Sequence, residues 1–262
     1  AGGIGTGGST QSGTFIGDGP GNILQGSATM QTEQQASIGF GGRGGSGPAG
    51  SGAGGAAVGG AIFLNARAAG VTIGNSSLGS ADAINLDVSA YGGLGSTGGT
   101  ADAGSAQIEA DRSTLSVLGG NTVLNANAFG GDSDSTQAGS VGGNANGGVA
   151  IVFASPGATL DVAGALAVRA NGRGGTSPAG TGGTGTGGLA ELFSLGGLVE
   201  FTTANIIANG FGGIGAIGGT GRGGGFDQAA TETSTTGAFV SARRGEVIGT
   251  SINVSALGIG GA

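Results

Sequence analysis

Glu109 and Asp111 stand two residues apart in the stretch AQIEADRS, so on an extended strand both carboxylates project from one face. Paired carboxylates are the residue types that cleave glycosidic bonds, one as acid and one as nucleophile or base. No aromatic platform, further base or second recurrent acidic pair accompanies them, and a solvated surface pair is the plainer reading. Asp132 and Asp134 in GDSDS, and Asp18 in GDGPGN, offer oxygen ligands of the kind calcium takes. A calcium site needs six to eight oxygens, and these turns do not repeat, so they are weak candidates. Arg243-Arg244, the one adjacent basic pair, has Glu246 close behind and reads as turn decoration. Histidine and cysteine are absent, which removes their metal-binding and nucleophilic chemistry. Glycine doublets never occur in the strand–Gly-x-Gly-x-x-Gly–helix setting of a nucleotide site. These residues predict no enzyme, no resident metal and no cofactor.

The elements that carry them announce themselves by repetition. Ala-X-Gly followed by a glycine-rich tract recurs as Ala90-Tyr91-Gly92, Ala128-Phe129-Gly130, Ala170-Asn171-Gly172, Ala208-Asn209-Gly210 and Ala256-Leu257-Gly258, with Ser37-Ile38-Gly39 as a degenerate first copy. The glycines of this phrase are separated by 53, 38, 42, 38 and 48 residues, as expected of a solenoid with loops of variable length. Between the phrases, aliphatic residues alternate with polar ones. Ile108 and Ala110, Leu115 and Val117, then Leu124, Ala126 and Ala128 take one face in one unit. Val152 and Ala154, Leu160 and Val162, then Leu166, Val168 and Ala170 take it in the next. The pattern predicts an all-β parallel β-helix of about six three-strand coils. Its structural positions are Ile108, Leu115, Val117, Leu124, Val152, Leu160, Val162, Leu166 and Val168, with Gly92, Gly130, Gly172, Gly210 and Gly258 closing the coils.

Composition agrees with an architectural chain. Glycine supplies 69 of 262 residues, and 8 basic against 15 acidic residues leave a net charge of −7. Collagen is excluded by the lack of triplet glycine and by the presence of only 4 prolines. The acidic balance argues against nucleic acid, which needs a concentrated positive footprint. No apolar run reaches the length of about 20 residues that spans a bilayer. The sequence reads as a single solenoid segment, 1–262, excerpted or processed from a longer chain. Glycine-rich inserts lie near 39–60, 92–105, 130–148, 172–188 and 210–236, all leaving the same edge of the coil.

Two readings of these inserts stay open: mobile surface excursions, or extended polyproline-II- or polyglycine-II-like segments packed on their neighbours. Phe153 and Phe193 fall on the outward phase of adjacent first strands, with Phe63 and Phe239 at comparable places, which predicts an outward aromatic ladder beneath a lid of loops. Tyr91 and Phe129 can stack, and Asn125 and Asn127 can join polar ladders. The insert at 42–50 is answered by the similar one at 172–180.

Phrases such as NTVLNANAFGG and ATLDVAGALAVRANG resemble the passenger regions of large secreted bacterial adhesins, of the filamentous-haemagglutinin-like and autotransporter β-helix kind. The resemblance is compositional and periodic, and it spans nearly the whole chain. It implies right-handed coils, secretion through an outer-membrane β-barrel, and an extracellular or outer-surface location on a Gram-negative bacterium. It further implies work in adhesion, biofilm or filament assembly, with partners among copies of itself, other surface-fibre chains, glycans or host and abiotic surfaces. A polysaccharide-binding or carbohydrate-active β-helix and a phage-fibre or coat segment are the alternatives.

Overall fold

The computed structural model describes residues 52–67, 70–73, 82–224 and 237–262, together with the backbone of short strands at 5–6, 22–25, 28–30, 33–36 and 39–40. Asp18 and the insert at 42–50 lie outside the described residues. All regular structure in the described residues is β, and none of it is a helix long and apolar enough to cross a membrane.

One repeat shows how the chain is used. From Ala101 it runs through strands Ala101–Asp102, Ser105–Asp111, Thr114–Val117, Asn121–Asn125 and Ala128–Phe129. The following repeat uses Ala145–Asn146, Val149–Ala154, the long strand Thr159–Arg169 and Gly172–Arg173, and each strand pairs in parallel with its counterpart. The equivalent strands collect into three parallel sheets of six strands and one of nine, so the chain is a β-solenoid. Each repeat thus holds more than the three strands expected. Besides Ser177–Thr181, which pairs with Gly215–Ile217, the additions are two-residue strands inside the glycine tracts, too short to produce a readable alternation. We call them the outbound ladder, which follows the third strand, and the return ladder, which precedes the first.

Inward side chains stack rung on rung. Leu64, Ile108, Val152, Leu192 and Val240 form one ladder; Val71, Leu115, Leu160, Val199 and Val247 form another; Leu86, Leu124, Val168, Ile206 and Val254 a third. Ile108, Leu115, Leu124, Val152, Leu160, Leu166 and Val168 are all buried in this one core. Burying a side chain of this size contributes about 1.5–3 kcal/mol, and the rung spacing of about 4.8 Å lets each touch the residues above and below. Volume is matched locally: in the ladder of Ile73, Val117, Val162 and Phe201, the next rung is Gly249, where a Cβ would collide with the Phe201 ring.

The corner between first and middle strands needs a left-handed residue. Arg112 (φ 49°), Gly157 (φ 75°), Gly196 (φ 67°) and Arg244 (φ 56°) occupy it in successive repeats. Arg244 of the basic pair is therefore a turn residue, held where glycine is the easier choice.

Candidate functional site

Alternate small residues bring the outbound and return ladders together. Ala90 and Ala128 of the outbound ladder pack with Ala57, Ala101 and Ala145 of the return ladder in a second, separate cluster. Farther along, the same positions become Gly172, Gly210 and Gly258 on one side and Gly185 and Gly221 on the other. A Cβ on Gly172 would strike the carbonyl oxygen of Thr186, so the two ladders approach more closely there. This change corrects the register read from sequence. Ala90 and Ala128 align with Gly172, Gly210 and Gly258, not with Ala170, Ala208 and Ala256. Tyr91 and Phe129 therefore share a column with Arg173, Phe211 and Ile259, whereas Asn171 and Asn209 follow Asn127 one pleat earlier.

Beyond this neck the glycine arms bond to one another. An unbroken chain of backbone hydrogen bonds of 2.8–2.9 Å crosses between outbound and return arms. Gly93 donates to Gly55, Gly99 to Gly93, Gly131 to Gly99, Gly143 to Gly131, and Gly175 to Gly143. The series continues from Gly183 to Gly175, Gly213 to Gly183, Gly219 to Gly213 and Gly261 to Gly219. The preceding glycine of each doublet donates instead to its own arm in the next repeat, as Gly92 to Phe129, Gly130 to Arg173 and Gly142 to Thr181. Neighbouring amides thus point to different strands, as a three-residue-per-turn extended chain requires. None of these ladder glycines has a left-handed φ. Their function is to lack a Cβ: one on Gly99 would overlap the Gly55 carbonyl, and one on Gly143 the Gly99 carbonyl. The inserts are a two-layered blade.

The third residue of each glycine triplet faces outward, and the two arms present different chemistry. The outbound face carries Tyr91, Phe129, Arg173, Phe211 and Ile259 in one column. Tyr91 and Phe129 stack with ring centroids 4.8 Å apart and planes 7° from parallel. Burial and the nearby Asp87 push the Tyr91 phenol above its ordinary pKa. A groove of about 490 Å³ beside this column is lined by Phe129, Arg173, Phe211, Ile214 and Ile259. The return face carries Asp102, Asn146, Thr186 and Arg222 in register, next to Thr100, Asn144, Thr184 and Thr220.

No protein-family model, curated protein or solved structure matches this chain. What the surfaces can do therefore rests on their own geometry. Asn127 Oδ1 accepts from the backbone N–H and the amide of Asn171, Asn171 Oδ1 accepts from the N–H of Asn209, and Asn209 Oδ1 accepts from the N–H of Leu257 at 2.7 Å. This polar ladder ties four repeats together at the root of the blade.

The carboxylate pair is also engaged between rungs. Glu109 accepts from Asn65 Nδ2 at 3.1 Å, while Asp111 pairs with Arg67 at 3.0 Å and accepts from Ser155 Oγ at 3.1 Å. Desolvation raises the Glu109 pKa, Asp111 raises it further, and Arg67 opposes them. Phe153 follows Glu109 in the same outward column and stacks on Phe193 at 5.2 Å. Phe63 and Phe239 belong to the neighbouring column, with Gln107, Ile151 and Glu191 between them, so the four phenylalanines do not form one ladder. Desolvation likewise raises the pKa of Glu191. Asp132 Oδ1 accepts from the Thr176 N–H at 2.6 Å, fastening one outbound arm to the next. Among the described residues no group of three or more His, Cys, Asp or Glu is placed to hold a metal ion. Of the two readings left open for the inserts, extended segments packed on their neighbours is the one that the bonded arms match; their two distinct faces were not read from sequence, although the recurring Gly-Gly-x triplets carried the signal.

Proposed function

We propose that this chain is a structural segment of a bacterial cell-surface or extracellular fibre, a right-handed β-helix of the filamentous-haemagglutinin-like or autotransporter kind. Its role is to hold an adhesive surface away from the cell. The observation that carries this reading is the continuity of every bonding system along one axis. Aliphatic ladders, the asparagine ladder and the glycine chain each pass from repeat to repeat, and the Arg67–Asp111 ion pair joins successive rungs. Such an array grows by adding rungs without changing its cross-section, which suits a fibre. On this proposal the arms form a polyglycine-II-like brace, the chain is not an enzyme, and its partners are copies of itself, other fibre chains or a glycan or solid surface.

A carbohydrate-active reading has one observation in its favour, the half-buried Glu109 with its raised pKa beside the Phe153–Phe193 stack. One experiment separates the two. Bacteria displaying tandem copies of this segment should attach to surfaces or aggregate more than cells displaying an unrelated β-domain. Unchanged attachment would remove the fibre proposal. Release of reducing ends from a polysaccharide panel, abolished by Glu109→Gln, would install the alternative.

A further inference from the structure

We propose that the return face of the blade pairs with the same face of a second copy running in the opposite direction. The idea deepens the fibre reading and rests on it only for its biological purpose. Its basis is the order of side chains in one column. Asp102, Asn146, Thr186 and Arg222 occupy successive rungs of the return ladder in strict parallel register. Asp102, Asn146 and Arg222 are exposed and Thr186 is partly so, while Ala101, Ala145 and Gly185, each one residue before its column member, are buried. The side chains of the column therefore point the same way, and the 2.7 Å bond from Asn146 Nδ2 to Asp102 Oδ1 fixes two of them as neighbours.

A two-fold axis perpendicular to the solenoid, passing between Asn146 and Thr186, maps these four rungs onto themselves, and the ladder continues beyond Asp102 through the exposed Val58 to Thr6, outside the paired four. Asp102 then faces Arg222 of the second copy at both ends, and Asn146 faces Thr186 twice. The adjacent column obeys the same symmetry: Thr100 faces Thr220, and Asn144 faces Thr184, so each position meets a group able both to donate and to accept. Self-complementarity of this kind is what an isologous pair requires. Running the copies in the same direction and in register would instead set Asp102 on Asp102 and Arg222 on Arg222, which like-charge repulsion disfavours. The contact is small beside the 1,200–2,000 Å² or so of a stable interface, so a single segment pairs weakly and tandem repeats pair by accumulation.

The chain contains no cysteine, which makes oxidative trapping clean. Asp102 and Arg222 lie three rungs apart, about 14 Å at the usual spacing, beyond the reach of a disulfide within one chain. The double variant Asp102→Cys/Arg222→Cys should form a covalent dimer on mild oxidation, whereas either single variant stays monomeric. In sedimentation at low ionic strength, Asp102→Arg and Arg222→Asp should each weaken association about tenfold or more, and the exchanged pair Asp102→Arg/Arg222→Asp should restore it. Both positions are on the surface, and circular dichroism of each variant verifies that the fold is retained. Rapid dimerisation of Asp102→Cys alone would establish the parallel arrangement and overturn the proposal. So would monomers at every concentration in the wild type, or no recovery in the exchanged pair. A monomeric chain that still promotes attachment when displayed would sink the pairing and spare the fibre role.

Discussion

Leu166 and Gly143 belong to the same solenoid and hold it together by opposite means. Leu166 has no exposed surface and acts by filling space between the Thr122 and Ala204 rungs. Gly143 fills nothing; its N–H bonds to Gly131, its carbonyl receives Gly175, and the absence of a side chain lets the Gly99 carbonyl lie against it. The aliphatic stack tolerates exchange of one hydrophobe for another of similar volume, since burial is non-directional. The blade tolerates no side chain at its bonded glycines, because there the backbone itself is the contact surface; its buried side chains are the small Ser133, Ser140 and Ser177, placed off that chain of bonds. The comparison explains how a chain so rich in glycine folds at all: glycine is spent where hydrogen-bonded backbones meet, and the apolar residues are kept for the core.

The largest break in this contrast comes from charging the stack. Leu166→Asp should cost more than about 4 kcal/mol and unfold stack and blade together, seen as loss of β signal in circular dichroism. Next comes Gly143→Val, which should cost about 2–4 kcal/mol by separating the arms and losing a few backbone bonds. Its effect should stay local: blade amides become exchangeable while those of Ser105–Asp111 and Thr159–Arg169 remain protected. Ala or Ser at outward Thr184 provides the contrasting blade substitution, expected within about 0.5 kcal/mol of wild type.

The stack also contains an exception that sharpens the rule. Thr122 is inward and 1% exposed, and its hydroxyl has no partner. Thr122→Val should therefore stabilise the chain by about 1 kcal/mol, read as a higher urea midpoint with an unchanged slope. The smallest expected effect is a pH dependence on the outer face of the first strands. Desolvation holds the Glu191 carboxyl above its ordinary value of 4.5, so the folded state binds the proton more tightly than the unfolded one. Stability from this group is full below the ordinary value and declines as pH rises through the folded value. Glu191→Gln should be the more stable form at pH 7, with an advantage that vanishes on acidification.

The alternation of Ile108, Leu115, Leu124 and their successors made the stack legible in sequence, because period-two burial leaves a side-chain record. The blade left almost none. Its ladders are two residues long, and its bonds come from backbone groups every residue possesses. The register slip at Gly172 has a single cause: alanine yields to glycine at the narrowing neck, so the Ala-X-Gly phrase reappears two residues early. Aligning the Gly-Gly doublets instead of the phrase restores the columns and separates the aromatic outbound face from the threonine- and asparagine-rich return face. The Tyr91–Phe129 stack was readable since both lie before the slip; Arg173 and Phe211 as their column-mates were not.

Amide hydrogen exchange followed residue by residue tests the account most directly. If the arms are a bonded blade, the amides of Gly93, Gly131, Gly143, Gly175, Gly183 and Gly213 exchange orders of magnitude more slowly than an unstructured chain, at rates approaching those of Ile108 and Leu160. Exchange of these glycines at unprotected rates, with Ile108 and Leu160 still protected, would mean that the blade does not exist.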